Sequence, residues 1–358
     1  MMSCDNLKDT CCIVLAAGEG KRMKSNKPKV LTEVVFKPML GWIMDTILEC
    51  GIEKTCVVTG FKNEMVNEYL NSNGYECETV IQAERKGTAH AVRMAEKFLE
   101  NNKGKNVLIL AGDAPFINDK IIKKAYDEHV LSNNSATLIS SILDNPFGYG
   151  RVIRDNDEVV GIVEEKDASE SQRKIKEVNS GAYWFSIDSL LKVLYNISND
   201  TSQGEYYLTD AVKLLIQGNK KVGAVKSETQ DVVLGANNCA QLSEMNSIAR
   251  ERIIKNLIDN GVNIPYWDGV VIGKDVEFDN ECSILPGTII LGKTKIEKGC
   301  LVGPNSQIIN CHVGKECKIN SSYCENSDIF NGSTVGPFES VVGNREKNKV
   351  SLWLVFEY

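Results

Sequence analysis

Five cations, Lys21, Arg22, Lys24, Lys27 and Lys29, crowd into nine positions beside the glycines of LAAGEGKRMKSNKPKVL (15–31). Small residues let backbone N–H groups come close to an anion. Arg22 adds a planar fork for phosphate oxygens, and Lys29 a second point charge. The loop lacks the G-x-x-x-x-G-K-[ST] spacing of a Walker A motif. After Gly18 and Gly20, the third position of a dinucleotide fingerprint is Met23. These residue types suit a triphosphate, although a solvated basic loop or a localisation signal would share the composition.

Two further stretches bear on the same chemistry. QAERKGTAHA (82–91) places a glutamine after an apolar run, and its amide both donates and accepts, as the imide edge of uracil or thymine requires. Gly87 and Thr88 then open a helix beside that base or its phosphates, with Thr88 as the expected N-cap. LAGDAP (110–115) puts Gly112 and Asp113 at a strand end, a usual place for a magnesium carboxylate, although aspartate is also an ordinary turn residue.

Alternating strands and helices must position these groups. Residues 10–16, 55–60, 78–82 and 106–113 read as short buried strands. Leu40, Ile43, Met44, Ile47 and Leu48 mark one face of a helix between Pro38 and Gly51, and residues 62–71 and 88–99 read as two more helices. The alternation predicts an α/β domain with a mainly parallel sheet whose ligands gather at the strands' carboxyl ends, where Gly18, Gln82 and Asp113 fall. Residues 136–235 extend this domain with less regular strands and one helix in YYLTDAVKLLIQ. A long helix over 240–260 follows, with Leu242, Met245, Ala249, Ile253 and Leu257 on one stripe.

After Gly261 the period changes. Ile272, Phe278, Ile284, Ile290, Ile296, Val302 and Ile308 stand six residues apart, and Val313, Ile319, Ile329, Val335 and Val341 continue the pattern after two phase slips. A six-residue period suits a triangular β-helix in which each side contributes one aliphatic to a central prism. The expected organisation is therefore residues 1–235, a helical arm over 236–262, a short β-helix over 263–342, and an irregular tail over 343–358.

Composition narrows the class. A net charge of −7 argues against broad nucleic-acid binding, and no run of eighteen apolar residues suggests a membrane span. The first residues lack a signal-peptide layout, so a cytoplasmic location is expected. The twelve cysteines contain no C-x-x-C pair and read as reduced, buried thiols rather than as zinc ligands.

In order along the chain, LAAGEGKRM…PKVL, QAERKGTAHA, LAGDAP, GYGRV (148–152), GIVEEKDA (161–168), EVNSGAY (177–183), GEYYLTD (204–210) and GANNCAQL (235–242) resemble the sugar-1-phosphate nucleotidylyltransferases. The likeness is to the UDP-N-acetylglucosamine pyrophosphorylase half of the bifunctional pyrophosphorylase/glucosamine-1-phosphate acetyltransferase family. It implies a Rossmann-like nucleotidyltransferase domain followed by a left-handed β-helix. It implies UTP and N-acetylglucosamine-1-phosphate as substrates, and Mg2+ as cofactor. Under that resemblance Leu15, Ala16, Ala17, Gly18 and Gly112 line the nucleotide. Gln82, Gly87 and Thr88 face its base, and Arg22 and Lys29 hold the phosphates. Gly150, Glu164 and Asn179 contact the sugar, and Asp113 and Asn237 ligate the metal. Taken alone, Gly150 would equally serve a turn, the Glu164–Glu165 pair a solvated face, and Asn179 and Asn237 ordinary turns.

The sequence departs from this family at two places. Ala111 stands where relatives often carry a larger aromatic residue, and the likeness fades after VGPFE (335–339) with no histidine beyond His312. Acetyltransferase activity is therefore expected to be absent, and the β-helix suggests a homotrimer. Alternatives are a uridylyl- or thymidylyltransferase acting on glucose-1-phosphate, or a bifunctional enzyme that keeps acetyl-CoA chemistry. Arg22→Ala is expected to lower turnover roughly a hundredfold or more at saturating substrates; unchanged turnover would remove Arg22 from phosphate stabilisation.

Overall fold

The computed structural model describes residues 7–20, 23, 25–199 and 204–343. Lys21, Arg22 and Lys24 of the basic loop, and the tail from 344 onward, lie outside the described residues. The chain divides into two compact units, residues 1–32 with 38–239, and residues 33–37 with 240–358.

In the first unit, the strands are β1 (Cys11–Ala16), β2 (Lys54–Thr59), β3 (Glu78–Ile81), β4 (Asn106–Ala111), β5 (Ala136–Ile142), β6 (Arg151–Asp155), β7 (Glu158–Val163), β8 (Glu177–Ser186) and β9 (Val222–Lys226). The sheet order is β9-β5-β8-β4-β1-β2-β3, with the β6–β7 hairpin attached to β8. Strands β4, β1, β2 and β3 run parallel, so their carboxyl ends share one edge. The departure from a parallel sheet is β8, antiparallel to both β4 and β5.

Alternation along β1 explains the layers. Cys12 and Val14 join the core packed on α1 (Met39–Glu49) and α2 (Asn63–Ser72), whereas Cys11 and Ile13 join the core on the opposite face. Helix α1 buries Leu40, Ile43, Met44 and Ile47 as their spacing requires, but Leu48 is 61% exposed, because the stripe has rotated off the core by the last turn. The expected single helix over 88–99 is two, α3 (Thr88–Met94) and α4 (Glu96–Asn101), broken at Ala95, which leaves helical geometry with φ −91° and ψ 15°. Thr88 is not its N-cap. Gly87 holds that position with φ +99°, and the Thr88 hydroxyl instead accepts from the Leu208 N–H at 2.9 Å. The helix expected within YYLTDAVKLLIQ runs from Thr209 to Gln217.

In the second unit, the helix Cys239–Asp259 buries Met245, Ala249 and Ile254, and Ile253 and Leu257 pack against that core as partly buried neighbours. Ile254, one position past the expected Ile253, is the residue this core buries fully. Beyond it, short strands stack in parallel into three separate sheets of five, four and four. Along one sheet Ile272 pairs Ile290, Ile290 pairs Ile308, Ile308 pairs Cys324 and Cys324 pairs Val341, so successive coils take eighteen, eighteen, sixteen and seventeen residues. The arrangement is consistent with a left-handed β-helix. Cys324, fully buried, fills the prism position that the six-residue pattern skipped between Ile319 and Ile329. Both intervals around it are five residues, and a cysteine stands where the pattern asked for an aliphatic.

Among the described cysteines only Cys77 and Cys239 escape full burial, and all are free. Burial pushes the thiols of Cys50 and Cys56 up to about 12, which makes them packing groups rather than nucleophiles. No described helix is long and apolar enough to cross a membrane.

Candidate functional site

The carboxyl ends of β1, β2 and β4 are sewn together by backbone groups. The Gly112 N–H donates to the Leu15 carbonyl at 3.0 Å, and the Phe61 N–H to the Ala17 carbonyl at 3.3 Å. A Cβ on Gly112 would stand 2.9 Å from the Leu15 oxygen, so the close approach needs glycine. Ala16 and Ala17 are buried, whereas Gly18 has open space where a side chain would go. This edge presents main chain rather than side chains, as an anion or a flat base requires.

Lys29 starts a short 3-10 turn, Lys29–Leu31, and its ammonium is the meeting point of three distant segments. Nζ pairs with the Asp113 carboxylate and donates to Asn237 Oδ1 at 2.9 Å. The Lys29 side chain is only 13% exposed and that of Asp113 30%, so the charges meet largely out of water. Two hard oxygen donors, one carboxylate and one amide carbonyl, thus already converge on one cation. That donor set fits a hard divalent ion with phosphates completing its shell. Among the described residues no cluster of three or more His, Cys, Asp or Glu offers another metal site.

The glycine loop is tethered by residues that the sequence alone did not single out. Arg85 pairs with Glu19 at 2.9 Å, and Lys62 Nζ donates to the Asn26 carbonyl at 2.5 Å. No spacing signal links them, because the partners come from three separate turns. Gln82 is buried, and its Nε2 donates to the Gly87 carbonyl at 3.0 Å and lies 3.0 Å from His90 Nδ1. The donor half of its amide is therefore spent on shaping the turn that leads into α3. Burial, then Lys86 and Arg93, lower the His90 pKa, so the ring is neutral at pH 7 and its Nδ1 can accept. At Gly87 the constraint is absolute: a Cβ would lie 2.5 Å from the Tyr206 carbonyl oxygen and 2.8 Å from its nitrogen. Tyr206 N–H donates to the Lys86 carbonyl, and its own carbonyl accepts from Ala89 N–H, so the 204–208 loop is paired to this turn.

Gly150, Glu164 and Asn179 come together as a second group. The Asn179 N–H donates to the Gly150 carbonyl at 2.9 Å. Gly150 has no positive φ; a Cβ there would crowd the Glu164 carboxylate and Ile162 Cγ2, each at 3.3 Å. Asn179 opens a bulge in β8, with its Nδ2 donating to the Tyr183 hydroxyl at 2.5 Å and its Oδ1 accepting from Gly181 N–H at 3.2 Å. Glu164 accepts from the Thr209 hydroxyl at 3.3 Å. Burial raises its pKa, the Thr209 hydrogen bond opposes this, and Asp167 and Asp210 add to the rise. Thr209 and Tyr183 lay inside recognisable motifs but carried no spacing that assigned them a task. A cavity of about 570 Å³ between β7 and α5 (Thr209–Gln217) shares Glu164 and Thr209 with this group, while Lys29, Asp113 and Asn237 lie outside it. The two groups adjoin where Gly181 faces Ala111: a Cβ on Gly181 would touch that of Ala111 at 3.6 Å.

Residues 11–270 match a family model described as nucleotidyl transferase. The chain is similar to the bifunctional protein GlmU of Caldanaerobacter subterraneus subsp. tengcongensis, 43% identical over 336 residues, covering 94% of this chain and 72% of that protein. It is 42% identical over 328 residues to the bifunctional protein GlmU of Clostridium beijerinckii, covering 92% of this chain and 71% of that one. A solved structure from Bacillus anthracis, provisionally described as a glucose-1-phosphate thymidylyltransferase in complex with a sucrose, superposes with a TM-score of 0.57. At 20% identity over 67% of this chain and 95% of that one, it speaks for the fold alone.

Glu164 makes this site costly to the folded state. A carboxyl whose folded pKa is raised binds its proton more tightly in the native protein, so its contribution is present at low pH and is lost as pH rises through the folded value. Glu164→Gln is expected to be at least as stable as wild type at pH 7.5 and to lose that advantage at pH 4. Urea denaturation at the two pH values measures it, and an advantage that grows toward low pH would contradict the assignment.

Proposed function

The chain belongs to the nucleotidyl transferase family, among the bifunctional GlmU proteins, and on that premise we propose that the Lys29–Asp113–Asn237 cluster is its triphosphate and metal centre. The enzyme is a sugar-1-phosphate uridylyltransferase that forms UDP-N-acetylglucosamine and pyrophosphate from UTP and N-acetylglucosamine-1-phosphate. The observation that carries the assignment of the centre is the convergence of one ammonium with two oxygen donors drawn from positions 29, 113 and 237.

A phosphate oxygen of the sugar phosphate attacks the α-phosphorus of UTP. A new P–O bond forms as the bond from that phosphorus to the bridging oxygen breaks, and pyrophosphate carries the electron pair away. The nucleophile is already anionic, so no general base is needed. The barrier lies in the approach of two anions and in charge gathering on the leaving group. Lys29, with Arg22, answers that charge; the backbone of Leu15, Ala16, Ala17, Gly18 and Gly112 receives the nucleoside, and Gln82, Gly87 and Thr88 face its base. Gly150, Glu164 and Asn179 hold the sugar and aim its phosphate. The family uses a divalent metal, here taken as Mg2+, which Asp113 and Asn237 would hold and which neutralises phosphate charge when bound.

The coil residues of this chain are assigned no acetyl transfer. The one histidine in them, His312, has Nε2 on Glu297 at 3.1 Å and Nδ1 4.0 Å from Asp328, on the outside of the prism. The stacked coils are read as the contact surface of a homotrimer, as the symmetry of such prisms favours.

Pyrophosphate release from UTP and N-acetylglucosamine-1-phosphate, with and without Mg2+, tests the reaction. Glucose-1-phosphate and dTTP serve as competing substrates, and acetyl-CoA with glucosamine-1-phosphate as the acetyl arm. Lys29→Met and Asp113→Asn are each expected to lower kcat/KM by about a hundredfold or more. Wild-type rates in both variants, or equal turnover of glucose-1-phosphate, would overturn the reading, and a monomer by sedimentation would remove the trimer.

A further inference from the structure

Arg151 is among the largest fully buried side chains of the protein, with 1% of its side chain exposed. It directly follows Gly150, and its ion-pair partner Glu165 directly follows Glu164. Both therefore sit one position past residues given to the sugar. Arg151 Nη2 pairs with Glu165 Oε2 at 2.5 Å and donates to the Arg173 carbonyl at 3.4 Å, while Nη1 donates to the Tyr149 carbonyl. The same Glu165 Oε2 accepts from the Gly148 N–H at 3.1 Å. Arg173 Nε approaches the other Glu165 oxygen at 3.7 Å. Thus three main-chain groups of the Gly148–Tyr149–Gly150 segment are held: Gly148 N–H and Tyr149 C=O on the ion pair, and Gly150 C=O on Asn179 N–H, while the Tyr149 ring packs against the core.

A structural role does not explain this choice of residues. Replacing a buried ion pair with well-packed apolar side chains is often neutral or stabilising. Here the arginine also leaves its Nε buried without a hydrogen-bond partner, which burial penalises. What a guanidinium supplies and an apolar side chain cannot is a planar fork that fixes a carbonyl and a carboxylate at once. Burial opposes ionisation of Glu165, but hydrogen bonds from Arg151 and Gly148 outweigh it and hold the carboxyl below its usual range, so the pair is charged at neutral pH.

We propose that Arg151 and Glu165 are positioning residues that set the Gly148–Gly150 backbone against Glu164 and Asn179, and so determine affinity for the sugar phosphate without touching it. The inference rests on the uridylyltransferase reading of the site. Neither residue belongs to the Lys29 cluster, so nucleotide affinity is independent of them.

The test is calorimetric titration of wild type, Arg151→Lys and Glu165→Gln. UTP is titrated alone, and N-acetylglucosamine-1-phosphate in the presence of saturating α,β-methylene UTP, with kcat and KM measured in parallel. Lysine keeps the charge but loses the fork; glutamine keeps the acceptor but loses the charge. Sugar-phosphate affinity is expected to fall roughly tenfold to a hundredfold in Arg151→Lys and less in Glu165→Gln, with KM for the sugar phosphate rising to match. UTP affinity is expected to stay within about twofold. Unchanged sugar-phosphate affinity in both variants overturns the proposal, as does a parallel loss of both ligands. If Arg151→Lys fails to fold, Glu165→Gln decides on the same readout; failure of both to fold makes the pair structural and overturns it. A wild type that takes UTP but no sugar phosphate overturns the substrate reading, and this proposal with it. A wild type that takes both, alongside variants that do the same, sinks only the positioning role.

Discussion

The ammonium of Lys29 between the Asp113 carboxylate and the Asn237 amide is the contact on which the chemistry proposed for the first unit depends. It joins residues 84 and 208 positions apart in sequence, and it does so with most of the lysine out of water. The contact keeps two oxygen donors aimed at a single point. The parallel strands exist, in this sense, to deliver that point: β1 and β4 end side by side, and the loops after them carry Gly18 and Asp113 to the same edge.

The second group follows from a strand that breaks the parallel rule. β8 enters antiparallel between β4 and β5, and its bulge between Asn179 and Tyr183 re-aims Asn179 toward Gly150. Gly181 in that bulge rests against Ala111, one residue before the Gly112–Asp113 turn. A strand running the other way is thus how the groups proposed for the sugar come to border those proposed for the nucleotide.

Most of the core was legible because burial imposes a period. The run CCIVLA, the α1 face and the six-residue coil each repeat at the interval their element demands. The pattern failed where geometry and residue type changed together, at Cys324, where two five-residue intervals meet a cysteine. It also failed at Ala95, where a helix breaks at a residue of high helix propensity. In the site, Lys29, Asp113 and Asn237 were legible as motif positions, and their meeting was not, since no local signal encodes a contact across 208 residues. Thr88 was misassigned as a cap because its hydroxyl serves the 204–208 loop, a partner that no window around residue 88 contains. Arg22 falls outside the described residues, so its part rests on sequence.

At Gly87 the obstacle to any side chain is the main chain of Tyr206, not a side chain that could be trimmed. Over evolutionary time that distinction matters. A clash between side chains can be relieved by a compensating change at the neighbour, so the two positions drift as a pair. Here no exchange of the amino acid at 206 moves its carbonyl or its nitrogen. Relief demands an insertion or deletion that re-routes the 204–208 segment, which would also unseat Thr88 and Ala89. Lineages carrying this architecture are therefore trapped with glycine at that position, whatever side chain stands at 206.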